Sequence, residues 1–212
     1  MCGDETAFHE GALLVKKLPE PVREGGMPLH TALSQRRSVR QFEEGALLSD
    51  TQLGQLLWAA QGMTRENVSD VQGRTASSAG ALYPVRVYAA SPEGLFRYNS
   101  AQHALEVISD EDVRFRLASA ALGQSWVREA SLVLVMTVLP NRLVKHYGVR
   151  AQRYMAMEVG HIAQNVQLQS VSLGLGSVIT GSFHDQHVHA IVALSKEEEP
   201  VCLIPVGVPV YG

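Results

Sequence analysis

The chain has 212 residues, 46% of them hydrophobic, with 18 basic and 21 acidic side chains and a formal net charge of −3. That length supports one substantial core, and the near balance of charge excludes an extended positive surface able to track a phosphodiester backbone, so no nucleic-acid partner is expected. The longest apolar run, Leu132 to Leu139, falls far short of the ~20 residues of a membrane-spanning helix, which predicts no membrane association and, with only two cysteines, a cytoplasmic protein.

Residues 1–27 contain Pro19, Pro21, Gly25 and Gly26 and read as an N-terminal arm that must lie on its own domain or on a partner, with a single domain over 28–212. Met1-Cys2-Gly3 is read as an ordinary N-terminus in preference to the scar of a lipid-bearing leader. A helix is predicted from Leu29 to Arg37 and a turn over Glu43 to Ala46. Ser49-Asp50-Thr51-Gln52 has capping-box spacing, and Leu53, Leu56, Leu57 and Ala60 give the helix that follows one apolar face. A glycine- and polar-rich link spans Gly62 to Thr75. Val85, Val87 and Ala89 alternate with Arg86 and Tyr88 as in a strand, and Leu95 to Tyr98 with Leu105 to Ile108 predict a hairpin. Glu111 to Leu122 reads as a helix, Leu132 to Val138 as a buried central strand. The stretch from about Arg150 to Leu173 has no proline and is apolar around much of its circumference, which predicts a helix buried in the core or at a subunit interface. Ser177 to Ile179, Asp185 to Leu194 and Val201 to Val208 read as strand, helix and strand, with Glu197-Glu198-Glu199 as a solvated turn. Strands separated by helices, with one hairpin among them, predict an α+β (mixed α/β) domain.

Three segments carry chemistry. Arg36-Arg37-Ser38-Val39-Arg40 places three guanidinium groups and a hydroxyl within five residues, a fork-shaped donor set for phosphate or else a solvated basic helix end. Ser77 to Pro84 is small and polar, so backbone can approach a flat ring there, although a plain turn before a strand has the same appearance. Gly174 to Ser182 is glycine-rich but lacks the third glycine and following helix of a dinucleotide fingerprint, which disfavours a NAD-binding Rossmann domain. His184, His187 and His189 do not share one helical face, so no metal site is expected and Asp185 is read as a local cap. Cys2 and Cys202 form no pair by spacing, and Trp58 and Trp126 read as core or interface residues.

In this order, with a long buried helix between the second and third, these segments resemble the nitroreductase family. The closer likeness is to its branch of flavin-dependent dehydrogenases that includes the thiazoline and oxazoline peptide oxidases. The matching stretches are RRSVRQF at 36–42, SSAGALYPVRVY at 77–88, RYMAMEVGHIAQNVQLQSVSLGLGS at 153–177 and VPV near the end, within residues 29–208. The resemblance implies a nitroreductase-like fold with a mainly antiparallel central sheet surrounded by helices, FMN as cofactor, and a homodimer holding the flavins at its interface. It implies that Arg36, Arg37, Ser38 and Arg40 hold the FMN phosphate, that Ser78, Ala79, Gly80, Ala81 and Leu82 lie along the flavin from the partner subunit, and that Thr180 and Gly181 approach the isoalloxazine ring, shaped by Gly176 and Ser177. The chemistry resides at flavin N5, so no catalytic side chain is expected. Many members follow the last strand with a Lys/Arg-containing segment that returns to the phosphate, whereas Pro209-Val210-Tyr211-Gly212 closes this sequence, which predicts a looser hold on FMN.

The expected activity is electron transfer from NADH or NADPH to a small electron-poor organic acceptor such as a nitroaromatic or quinone. A second reading is an azoline-peptide dehydrogenase, which needs a base. Lys145 and Tyr147 are its candidate auxiliary groups, although His146 separates them where that branch has an adjacent pair. Arg142 and Lys145 are read as bordering the site entrance. A third reading is a non-catalytic flavin-binding or storage protein.

Overall fold

The computed structural model describes residues 14–64 and 73–210. Cys2, most of the 62–75 link and Tyr211-Gly212 lie outside the described residues. The centre is a seven-stranded sheet whose paired strands are all antiparallel. An interior strand of that sheet, β5, Leu132–Val138, has every residue buried. The unbroken apolar run arises because both faces are covered. Leu132, Leu134, Met136 and Val138 pack on one side with α2 (Asp50–Gln61) and α6 (Ala151–Ser172), while Val133 and Val135 pack on the other with α3 (Arg114–Ala120), α4 (Ser125–Glu129) and α7 (Asp185–Val192).

β2 (Val85–Ser91) and β7 (Glu199–Gly207) flank β5. Outside β2 lie β3 (Gly94–Asn99) and β4 (Ala104–Ser109), the predicted hairpin, and outside β7 lies β6 (Gly176–Ser177). The far edge is β1, Val15–Lys17, paired with β4. The described part of the N-terminal arm thus lies on its own domain: Leu18 N–H donates to His103 O, and Gln55 grips the Val22 backbone through both its amide atoms, at 2.8 and 3.1 Å.

The predicted capping box is present, with Ser49 Oγ accepting from Gln52 N–H and Gln52 Oε1 accepting from Ser49 N–H. The first helix, α1, is Leu29–Gln35 and stops short of the predicted Arg37. Arg36 turns extended (ψ 125°) and Ser38 pairs with Ser177, so tertiary pairing takes backbone that local propensity would have left helical. The helix predicted over 111–122 is shorter too. Asp112 Oδ1 accepts from Arg114 N–H, and Leu122 and Gly123 take left-handed φ of 60° and 75° past the helix end. α4 was not anticipated, nor was α5 (Pro140–Tyr147), which begins with proline in its first turn as helices favour.

The solvated turn over 197–199 needs correction. Glu197 and Glu199 are exposed, but Glu198 is 2% exposed and accepts hydrogen bonds from Arg86 (2.8 Å), the Tyr88 hydroxyl (2.9 Å) and the Thr137 hydroxyl. α6 runs over Ala151–Ser172, close to the predicted span. Met155, Val159, Ile162 and Val166 are buried, yet Ala156, Met157, Gly160 and Gln164 form an uncovered strip along it.

Candidate functional site

The basic segment leaves α1 and runs beside β6. Val39 N–H donates to Ser177 O at 3.0 Å, and a Cβ on Gly176 would stand 2.7 Å from the Val39 side chain. Glycine at 176 is therefore what lets the two segments close. The chain then continues along β7, with Val178 N–H donating to Pro205 O and Thr180 exchanging both backbone hydrogen bonds with Leu203. The fold thus brings two of the three segments together.

The side chains there form a donor set. Arg37, Ser38 and Arg40 are exposed and Arg36 is half-buried, and none of the ion pairs among the described residues involves them. Unneutralised guanidinium groups beside a hydroxyl fit a phosphate. Thr180 is 4% exposed, and its Oγ1 accepts from Trp126 Nε1–H at 3.2 Å. Its backbone groups pair with Leu203, and Gly181 beside it is exposed. Trp126 also lies under the Arg40 guanidinium, 5.7 Å from the ring centroid, and Gln124 Nε2 donates to Ser182 O. Sequence reading placed Trp126 in the core or an interface. It packs against the core there and, from the short, unpredicted α4, also links the basic segment to the glycine-rich loop.

The second segment lies elsewhere. Residues 78–83 form a tight turn with Gly80, Ala81 and Tyr83 at φ of 60°, 52° and 46°, left-handed values that cost energy for alanine and tyrosine and concentrate at functional sites. Ser78 Oγ accepts from Tyr83 N–H, Arg142 donates to Tyr83 O at 2.9 Å, and the Tyr147 hydroxyl would stand 2.8 Å from a Cβ on Gly80. Tyr147 packs on Tyr154 with ring centroids 4.7 Å apart. Lys145 is exposed and Tyr147 half-buried. The turn therefore rests on α5 and α6 of its own chain.

Sheet register fixes its distance from the first and third segments. Val85 pairs with Val138 and Val138 with Glu199, whereas Thr180 pairs with Leu203, three strands across and several residues along. At ~3.4 Å per residue and ~4.8 Å per strand the separation is on the order of 20 Å.

Beneath the turn lies a buried polar group that sequence reading missed. Glu158 is 1% exposed and neither carboxylate oxygen has a hydrogen bond of normal geometry. Burial raises its pKa, opposed by the nearby Ser78 side chain, Val85 N–H and Arg74. Arg74 stacks on Tyr83, 4.2 Å from the ring centroid. Only glutamate's place among the apolar positions of α6 could have signalled this. The histidines near 184 form no metal cluster among the described residues: His189 Nε2 contacts Ser195 O, and Asp185 lies in the first turn of α7, whose N-cap is His184.

The sequence pattern of the Nitroreductase family matches residues 33–208. The chain belongs to the nitroreductase family. It is therefore an enzyme, an FMN-dependent oxidoreductase by family, which sets aside the storage reading. A protein of Methanocaldococcus jannaschii provisionally described as a nitroreductase is 39% identical over 185 residues, covering 84% of this chain and 90% of that protein. The crystal structure of a provisionally described nitroreductase from Ralstonia eutropha JMP134 superposes with a TM-score of 0.83 at 34% identity, covering 93% of this chain and 90% of that one. A chain of the Escherichia coli microcin synthetase complex McbBCD shares the fold, with a TM-score of 0.71, 20% identity and coverage of 99% and 79%. These likenesses establish the family and its fold, not the azoline-peptide branch within it. No helix among the described residues is long and apolar enough to cross a membrane.

Proposed function

We propose that this nitroreductase-family protein is a homodimer that binds FMN between subunits and passes electrons from NADH or NADPH to a small electron-poor acceptor such as a nitroaromatic or quinone. The observation that carries the reading is the placement of the three segments. Residues 36–40 and 176–181 form one unit, and the strained turn at 78–83 stands on the order of 20 Å away, too far to share a compact site unless a second copy supplies it. The open strip on α6 supports such a copy: Met157 is 51% exposed and a Cβ on Gly160 would meet nothing within 4 Å, so an interior glycine costing about 1 kcal/mol of helix stability serves no need of its own chain.

Arg36, Arg37, Ser38 and Arg40 would hold the phosphate, and Thr180 and Gly181 would border the ring, with Ser78, Ala79, Gly80, Ala81 and Leu82 of the second copy closing over it. Bound FMN supplies hydride acceptance and donation at N5. The chain's own groups bind, orient and exclude water, and no side chain is assigned as catalytic. Residues 28–212 are the cofactor domain in this reading and 1–27 its arm, in a cytoplasmic protein. The second reading, azoline-peptide dehydrogenation, is favoured by one contact, the Tyr147 hydroxyl against Gly80, which would put Tyr147 and Lys145 beside the reacting carbon.

The test is the absorbance of protein purified without added cofactor, followed by anaerobic NADH and then NADPH. Yellow protein that bleaches supports the reading, and colourless protein that takes up no FMN refutes it. Arg37→Ala removes charge-assisted bonds worth ~1.5–3 kcal/mol each and is expected to weaken FMN binding tenfold or more. Full affinity in that variant would remove the phosphate assignment.

A further inference from the structure

Between Glu129 and Glu158 the chain has no acidic residue, yet it carries Arg142, Lys145, His146, Arg150 and Arg153. In a protein of net charge −3 this is a local concentration of four permanent positive charges. All five side chains are exposed on α5, the turn after it and the first turn of α6, and the ion pairs among the described residues involve none of them. The carboxylate nearest in sequence, Glu158, is buried and does not neutralise them at the surface.

Two contacts join this face to the strained turn. Arg142 donates to Tyr83 O, and Tyr147, from the same helix, abuts Gly80. If residues 78–82 border the flavin, the cations border the path by which an electron donor reaches it.

Resting on the function proposed above, we infer that the basic face of α5 and α6 receives the phosphates of the dinucleotide donor and selects NADPH over NADH. The two donors differ by one phosphomonoester, which adds about −1.5 to −2 charge at neutral pH. An exposed cationic face attracts that extra charge over roughly a Debye length, about 8–10 Å in ordinary buffers. The preference must therefore shrink as salt rises, unlike one built from a closed, shape-complementary pocket.

The test uses redox-inert probes. FMN-loaded protein is titrated calorimetrically with NADP+ and NAD+ at low and at high salt, alongside Arg150→Gln/Arg153→Gln and Arg150→Lys/Arg153→Lys. NADP+ is expected to bind about tenfold tighter at low salt and only a few-fold tighter at high salt. The Gln pair should erase most of the difference, and the Lys pair should keep it. Equal affinities in the unmodified protein, or a preference unchanged in the Gln pair, would overturn the inference while leaving the flavin reading intact. Loss of FMN from the Gln pair alone would assign these arginines to the cofactor instead, and would also overturn it. Protein that binds no FMN at all would refute the underlying reading.

Discussion

Replacing Glu198 with alanine is expected to destabilise the fold by about 3–5 kcal/mol, close to the cost of removing one partner of a buried, hydrogen-bonded charge pair. The magnitude follows from what is left behind. The Tyr88 and Thr137 hydroxyls belong to residues 4% and 0% exposed, and each would lose its acceptor at ~1–3 kcal/mol. Burial and the neighbouring carboxylate already push the Tyr88 pKa up to about 12, so that hydroxyl stays protonated and needs an acceptor at any working pH. Arg86 adds little, because its side chain is 31% exposed and can turn to water. For a chain of this size the loss corresponds to a fall in Tm on the order of 10 °C. Urea and thermal denaturation at fixed protein and FMN concentration read it out. Adding Thr137→Val to the Glu198→Ala background removes one orphaned hydroxyl and should recover part of the loss, since removing both partners costs less than removing one. A Glu198→Ala variant within about 1 kcal/mol of the parent would refute this account of the cluster.

Trp126→Phe removes the indole donor to Thr180 while keeping a ring beneath Arg40. We expect a stability loss of about 1 kcal/mol and FMN binding weaker by roughly fivefold, read by denaturation and flavin titration; unchanged FMN affinity would mean that Trp126 does not position the loop. Glu158 gives a pH signature. Its pKa is raised from 4.5 chiefly by burial, so the folded state holds a proton that the unfolded state releases as pH climbs past that value. Its contribution is fully present below 4.5 and is lost as pH rises through the raised value. Glu158→Gln cannot titrate, and its stability should therefore gain on the parent between acid and neutral pH; parallel stability profiles would show that folding does not raise the Glu158 pKa.

Much of the architecture was legible in local pattern. The capping box, the hairpin, the apolar run of β5 and the long α6 each depend on residues within a few positions of one another, where periodicity and capping act. Their boundaries were less legible. Arg36 and Arg37 read as helical because the pairing that pulls them straight comes from Ser177, far along the chain. The three chemistry-bearing segments were also visible, as compositions suited to phosphate and to close backbone approach.

What the sequence by itself determined was therefore the set of elements and the residue types offered to a cofactor, because propensity, periodicity and donor chemistry are short-range properties. Only the tertiary structure decided which of those residues meet. Sheet register brought the arginines to the glycine-rich loop and set the strained turn apart from both. Burial of Glu198 depends on Arg86 and Thr137, 112 and 61 positions away in the chain. Whether a charge is solvated or buried is fixed by its neighbours in space, and a run of three glutamates carries no record of them.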